Sequence, residues 1–135
     1  GDLLTTLNYA KLLEYHKSNS SAATIALYQR EVKVDFGVIE SDDKGQLAQY
    51  IEKPVYTFDV SMGVNVLNKK MVTPFLQPGK HLNIPELMMN LHHQGLKVSS
   101  YREKCLWLDI GRIDDYKEAV GLFESNMDKF ISPLP

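Results

Sequence analysis

Five short segments of this 135-residue chain hold the residue types from which chemistry is built. Asp2 follows a glycine and precedes a helix-like run, and Asp109 sits in the apolar stretch Trp107-Leu108-Asp109-Ile110-Gly111. In open α/β sheets, ligands gather outside the carboxyl ends of strands, and an Asp after a Gly is well placed there. An acid inside an apolar strand end needs a partner or a metal. Hard divalent ions such as Mg²⁺ take one or two carboxylates plus phosphate oxygens, so Asp2 and Asp109 on separate strand ends suit that work. Plainer readings stand beside this one: Asp2 as a turn or cap residue, and Asp109 as a helix cap or the partner of Arg112. Glu52-Lys53-Pro54 closes another segment. Lysine binds phosphate as a point charge, and glutamate accepts sugar hydroxyls. Neighbouring strand residues point to opposite faces, so both reach one ligand only if the strand twists or bulges there. The alternative is a surface ion pair. Gly37 and Gly63 offer bare backbone to a sugar ring, or else mark bulges.

These residues need elements to hold them. The spacing predicts a helix of about three turns within Thr5–Lys17, capped by Thr5 or Thr6, with Tyr9, Leu12, Leu13 and His16 on one face. Ala22–Tyr28 reads as a buried strand. Phe36–Glu40 and Gln46–Lys53 read as a hairpin with the polar tip Asp42-Asp43-Lys44-Gly45. Pro54 is expected to push Lys53 into extended geometry and stop the ladder. Phe58–Leu67 is a strand with an internal glycine, and Lys69–Leu76 a short helix. Asn83-Ile84-Pro85-Glu86 is a strong helix start. Leu87, Met88 and Leu91 supply its apolar face, and Gly95 its C-terminal stop. Lys97–Tyr101 and Cys105–Ile110 read as strands. Tyr116, Ala119, Val120, Phe123 and Met127 fall at helical spacing, and Ser132–Pro135 reads as a linker or frayed end. Strands and helices alternate, with a hairpin inserted: an α/β layer fold with a mixed sheet.

Composition sets outer bounds. The chain is 44% hydrophobic and 24% charged, which excludes wholesale disorder. Fifteen basic and seventeen acidic residues give a formal charge of −2, against a nucleic-acid reader. No apolar run approaches the length of a membrane span. The lone Cys105 excludes an internal disulfide and fits a reducing cytoplasm. With no His/Asn partner in view it reads as a buried thiol. His92-His93 lack the i, i+4 spacing of a metal pair and read as surface, as do His16 and His81. The sequence contains no P-loop, G-x-G-x-x-G or G-x-S-x-G.

The order of the segments is more specific than any one of them. Gly1-Asp2, Phe36-Gly37-Val38, Ile51-Glu52-Lys53-Pro54, Gly63-Val64-Asn65-Val66-Leu67 and Trp107-Leu108-Asp109-Ile110-Gly111-Arg112 follow one another. In this the chain resembles the sugar-1-phosphate nucleotidyltransferases. Among these are the mannose-1-phosphate guanylyltransferases and the glucose-1-phosphate thymidylyl- and uridylyltransferases. The resemblance runs from Gly1 to about Phe123. It implies a Rossmann-like nucleotidyltransferase fold with a mixed sheet, and a Mg²⁺-dependent reaction. A sugar 1-phosphate attacks the α-phosphorus of a nucleoside triphosphate and releases pyrophosphate. By motif match, Asp2 and Asp109 hold Mg²⁺, Glu52 binds sugar hydroxyls, Lys53 binds the sugar phosphate, and Gly37 and Gly63 line the sugar pocket.

The family's G-G-x-G-x-R segment and P-K pair, which grip the triphosphate, have no counterpart here. Gly1-Asp2 matches the middle of the family domain. The expectation is therefore the C-terminal, sugar-phosphate-binding part of the catalytic domain over residues 1–131, then a tail at 132–135. Such a piece is expected to be inactive alone and to self-associate through uncovered sheet edge. The other reading is a non-catalytic regulatory or assembly module of the same fold. Asn65 also stands where the family commonly has an aromatic, and Met62 where it has a small residue.

Overall fold

The computed structural model describes residues 2–111 and 113–131. Gly1, Arg112 and the expected tail at 132–135 lie outside that range. The described strands are β1 (Leu3–Thr5), β2 (Ala23–Lys33), β3 (Val38–Ser41), β4 (Leu47–Ile51), β5 (Val55–Leu67), β6 (Val98–Arg102) and β7 (Trp107–Asp109). The helices are α1 (Tyr9–Ser18), α2 (Lys69–Val72), α3 (Ile84–His93), α4 (Ile113–Ser125) and α5 (Met127–Phe130), with a 3₁₀ turn at Thr73–Phe75 after α2. No described helix is long and apolar enough to cross a membrane.

The chain forms two compact units. One holds the residues up to Tyr28 and from Ser61 onward; the other is Gln29–Val60. Strands β2 and β5 each begin in one unit and end in the other. In the three-stranded sheet the order is β5-β2-β6, with β2 and β6 parallel. The other two pairs, β1 with β7 and β3 with β4, are antiparallel. Together these make the mixed-sheet α/β architecture that the alternating pattern predicts.

The larger unit has two apolar clusters, and the pleat of β2 explains both. Successive side chains alternate across a strand. Ala23 and Ile25 face the cluster of Val72, Leu87, Met88 and Leu91. Ala26 and Tyr28 face the cluster of Leu7, Leu12 and Met62. The capping signals of α3 are realised: the Asn83 side chain accepts from Glu86 N at 2.8 Å, and Gly95 takes a φ of +74° just past the end. At α1 the expected cap is corrected. Asn8, not Thr5 or Thr6, caps the helix, accepting from Lys11 N at 3.0 Å. The two threonines are engaged elsewhere: Thr5 Oγ1 donates to Leu106 O and Thr6 Oγ1 accepts from Leu106 N.

His16 is also corrected. It is buried, only 6% exposed, with Nδ1 2.9 Å from the hydroxyl of the fully buried Thr24. The apolar face of α1 carries it inward, and Thr24 supplies the hydrogen bond that makes burial tolerable. Burial lowers its pKa from the ordinary 6.5. The unfolded chain therefore takes up the proton first as pH falls. Stability is complete above about pH 6.5 and declines as pH drops from there toward the lowered folded pKa. The urea midpoint should fall between pH 7.5 and 5, and His16→Gln should reduce that drop. An equal drop in the variant would assign the effect to other groups.

In the smaller unit the β3–β4 hairpin appears as predicted, with Ile39 opposite Tyr50. Its tip is fastened by the Asp42 carboxylate, which accepts from Lys44 N and Gln46 N at 2.9 and 2.8 Å. Several large apolar side chains here, Phe36, Leu47 and Phe58 among them, are exposed.

Candidate active site

The larger unit holds a pair of candidate carboxylates, Asp2 and Asp109. The β1–β7 ladder sets Leu3 opposite Asp109, Leu4 opposite Leu108 and Thr5 opposite Trp107. One step further, Ile110 N donates to Asp2 O at 2.7 Å. Asp2 and Asp109 thus stand one register position apart at neighbouring strand ends. Trp107 Nε1 donates to Met62 O at 3.1 Å, which ties β7 to β5.

Two expectations are corrected. Asp2 leads into a strand, not directly into a helix, because Leu3–Thr5 has β7 to pair with. Asp109 is exposed, not held within an apolar strand end, at the last residue of the short strand β7. The alternative partner Arg112 lies outside the described residues. The pair's chemistry is that of two hard, solvent-facing oxygen donors. Among the described residues no group of three or more His, Cys, Asp or Glu could hold a metal ion. An ion here would need its remaining ligands from water or a substrate, which suits Mg²⁺ completed by phosphate oxygens.

Gly63 adjoins this pair. Its φ is +76°, and a Cβ built on it would lie 3.3 Å from Leu3 Cδ1, on the residue that faces Asp109 across the ladder. Backbone conformation and the close approach of β1 both ask for glycine. Gly63→Ala is expected to lower stability by about 1–2 kcal/mol. Urea unfolding measures this, and an unchanged midpoint would show that β1 gives way freely. Two residues on, Asn65 Oδ1 is buried without a hydrogen-bond partner among the described residues. The aromatic common in the family at this position would leave no such acceptor.

The smaller unit holds the candidates Gly37, Glu52 and Lys53. Val38 pairs with Ile51, so Gly37 and Glu52 follow at the same end of the hairpin. A Cβ on Gly37 would fall 2.5 Å from Tyr50 Oη, so the glycine makes room for that ring. Lys53 departs from expectation. Its φ is +45°, left-handed and not extended. Pro54 is tied by its carbonyl, which accepts from Val34 N at 3.0 Å, and the chain bends at Glu52-Lys53 between β4 and β5. The connection overrides the local preference of a residue before proline. The bend breaks strand alternation at the two residues that would need to reach one ligand. Glu52 and Lys53 are exposed, and they make no ion pair with each other.

Cys105 and three of the histidines stand apart from these candidates. Cys105 is half-buried beside Thr5, and burial pushes its thiol up, away from nucleophilic use. His81, His92 and His93 are exposed.

Residues 1–126 match the family model described as Nucleotidyl transferase, and the chain belongs to that family. Among similar proteins is a glucose-1-phosphate adenylyltransferase of Clostridium beijerinckii, 30% identical over 144 residues, covering 95% of this chain and 34% of its own. One of Clostridium novyi is 27% identical over 138 residues, covering 95% and 35%. The chain therefore spans about a third of these relatives' length. Among solved structures, HddC from Yersinia pseudotuberculosis aligns with a TM-score of 0.57 at 22% identity, over 90% of this chain and 52% of its own. A putative glucose-1-phosphate thymidylyltransferase from Bacillus anthracis aligns with a TM-score of 0.61 at 17% identity, over 90% and 51%. These structural likenesses establish the nucleotidyltransferase fold.

Proposed function

We propose that this chain is the sugar-phosphate-binding part of an enzyme that joins a nucleoside triphosphate and a hexose 1-phosphate into a nucleotide-sugar. The observation that supports the reading is the β1–β7 ladder, which brings Asp2 and Asp109 to neighbouring strand ends one register position apart. In this reading the two carboxylates hold Mg²⁺, which neutralises charge on the reacting phosphates. Glu52 orients the sugar through its hydroxyls, Lys53 holds the sugar phosphate, and Gly37 and Gly63 let backbone approach the ring. Nucleotidyl transfer of this kind is chiefly positioning and charge neutralisation, and metal-binding carboxylates with a phosphate-binding lysine suit it.

The sequence relatives named above are adenylyltransferases, so ATP joins the guanosine, thymidine and uridine triphosphates as a candidate donor. The test is pyrophosphate release by the full-length protein, across those four nucleotides and a set of hexose 1-phosphates, with and without Mg²⁺. One pair should give Mg²⁺-dependent turnover, and this chain alone should give none. No turnover with any pair would remove the catalytic reading in favour of a regulatory or assembly module. Turnover by the chain alone would remove the claim that it is an inactive part.

A further inference from the structure

The larger unit contains a second feature that nucleotidyl transfer does not use. A cavity of about 630 Å³ opens at the last turn of α1, between that helix and the end of β5. Leu13, Val66 and Met71 wall it with apolar surface, while His16, Lys17 and Asn68 bring polar groups to it. None of the described residues lining it is acidic. His16 is a buried side chain at this wall, with one ring nitrogen occupied by Thr24. The Asn68 carbonyl oxygen is committed to Lys70 N and Met71 N, so its amide nitrogen is the group left to offer. Lys17 is exposed and has no ion pair among the described residues.

A helix C-terminus ordinarily repels anions through its free carbonyls. Here three of those carbonyls, of Tyr15, His16 and Lys17, accept hydrogen bonds. Tyr15 O accepts from Asn19 N and Nδ2, Lys17 O from Ser20 N, and His16 O from Ser21 N. Among the described lining residues, Lys17 supplies the ammonium.

We propose that this cavity binds a small organic anion with an apolar body, its charged head on Lys17 and the Asn68 amide and its body against Leu13, Val66 and Met71. Neither Asp2 nor Asp109 lines this cavity. The inference does not rest on the catalytic reading.

Phenyl phosphate is a suitable probe, with inorganic phosphate as head alone and phenol as body alone. The ring signals of four histidines and the methyl signals of five methionines are few enough to follow by NMR. Phenyl phosphate should shift the His16 ring and the Met71 methyl saturably, at least about fivefold more tightly than either control. Lys17→Ala, at an exposed position, should weaken binding about tenfold, the worth of one charge-assisted hydrogen bond. Three results would overturn the proposal: no saturation up to about 10 mM, equal affinity for phosphate alone, or unchanged affinity in Lys17→Ala.

Discussion

Replacing Asp109 with asparagine in the full-length enzyme is expected to lower kcat at least about a hundredfold, with the fold intact. The two effects separate because of where Asp109 sits. It is exposed and joins β1 through its backbone register with Leu3. Asparagine keeps the shape and the backbone, so stability should stay within about 0.5 kcal/mol, as for most surface changes. The proposed metal loses one of two protein carboxylates, however. Transition-state charge stabilisation by a metal amounts to several kcal/mol, and each 1.4 kcal/mol is about tenfold in rate. The Mg²⁺ concentration for half-maximal rate should rise as well. Asp2→Asn should behave alike, and the double variant should fall well short of the product of the two losses, because both residues serve one ion. Full kcat in Asp109→Asn at ordinary Mg²⁺ would take Asp109 out of the metal site.

Much of this arrangement was legible in the sequence where local chemistry and tertiary structure agree. Asn83, Pro85 and Gly95 act within one helix, so their signals survive folding unchanged. The Asp42–Gly45 tip closes on itself in the same way. Elsewhere the deciding partner is remote. Leu3-Leu4-Thr5 has no period long enough to announce a strand and becomes one through β7, about a hundred residues on. His16 resembles any surface histidine until Thr24 is seen beneath it. The apolar part of β2 ends at Tyr28, yet the strand continues through the exposed Gln29–Lys33 into the smaller unit. Burial patterning marked where the strand is covered, not where it stops. The Asp2–Asp109 pairing follows the same logic: each aspartate stood out locally, but their adjacency came from a register that neither segment encodes alone.

Lys53 gives the second large effect. Its local rule and its observed backbone conflict: a residue before proline favours extended geometry, yet Lys53 stands at φ +45°. A non-glycine residue in that region costs about 1–2 kcal/mol, and such conformations cluster at functional sites. If the lysine is retained for its ammonium, then Lys53→Met, which keeps the length and removes the charge, should raise KM for the sugar 1-phosphate about ten- to a hundredfold in the full-length enzyme. That range matches the worth of one hydrogen bond to a charged group. KM for the nucleotide should change little. Lys53→Gly makes the decisive comparison. It relieves the left-handed backbone and should leave stability equal or slightly higher, after the entropy glycine loses on folding. It also removes the ammonium and should raise KM for the sugar phosphate as much as methionine does. A fold at least as stable paired with lost affinity would assign the strained residue to ligand binding. Lys53→Gly with wild-type KM would assign it to the path of the chain between β4 and β5.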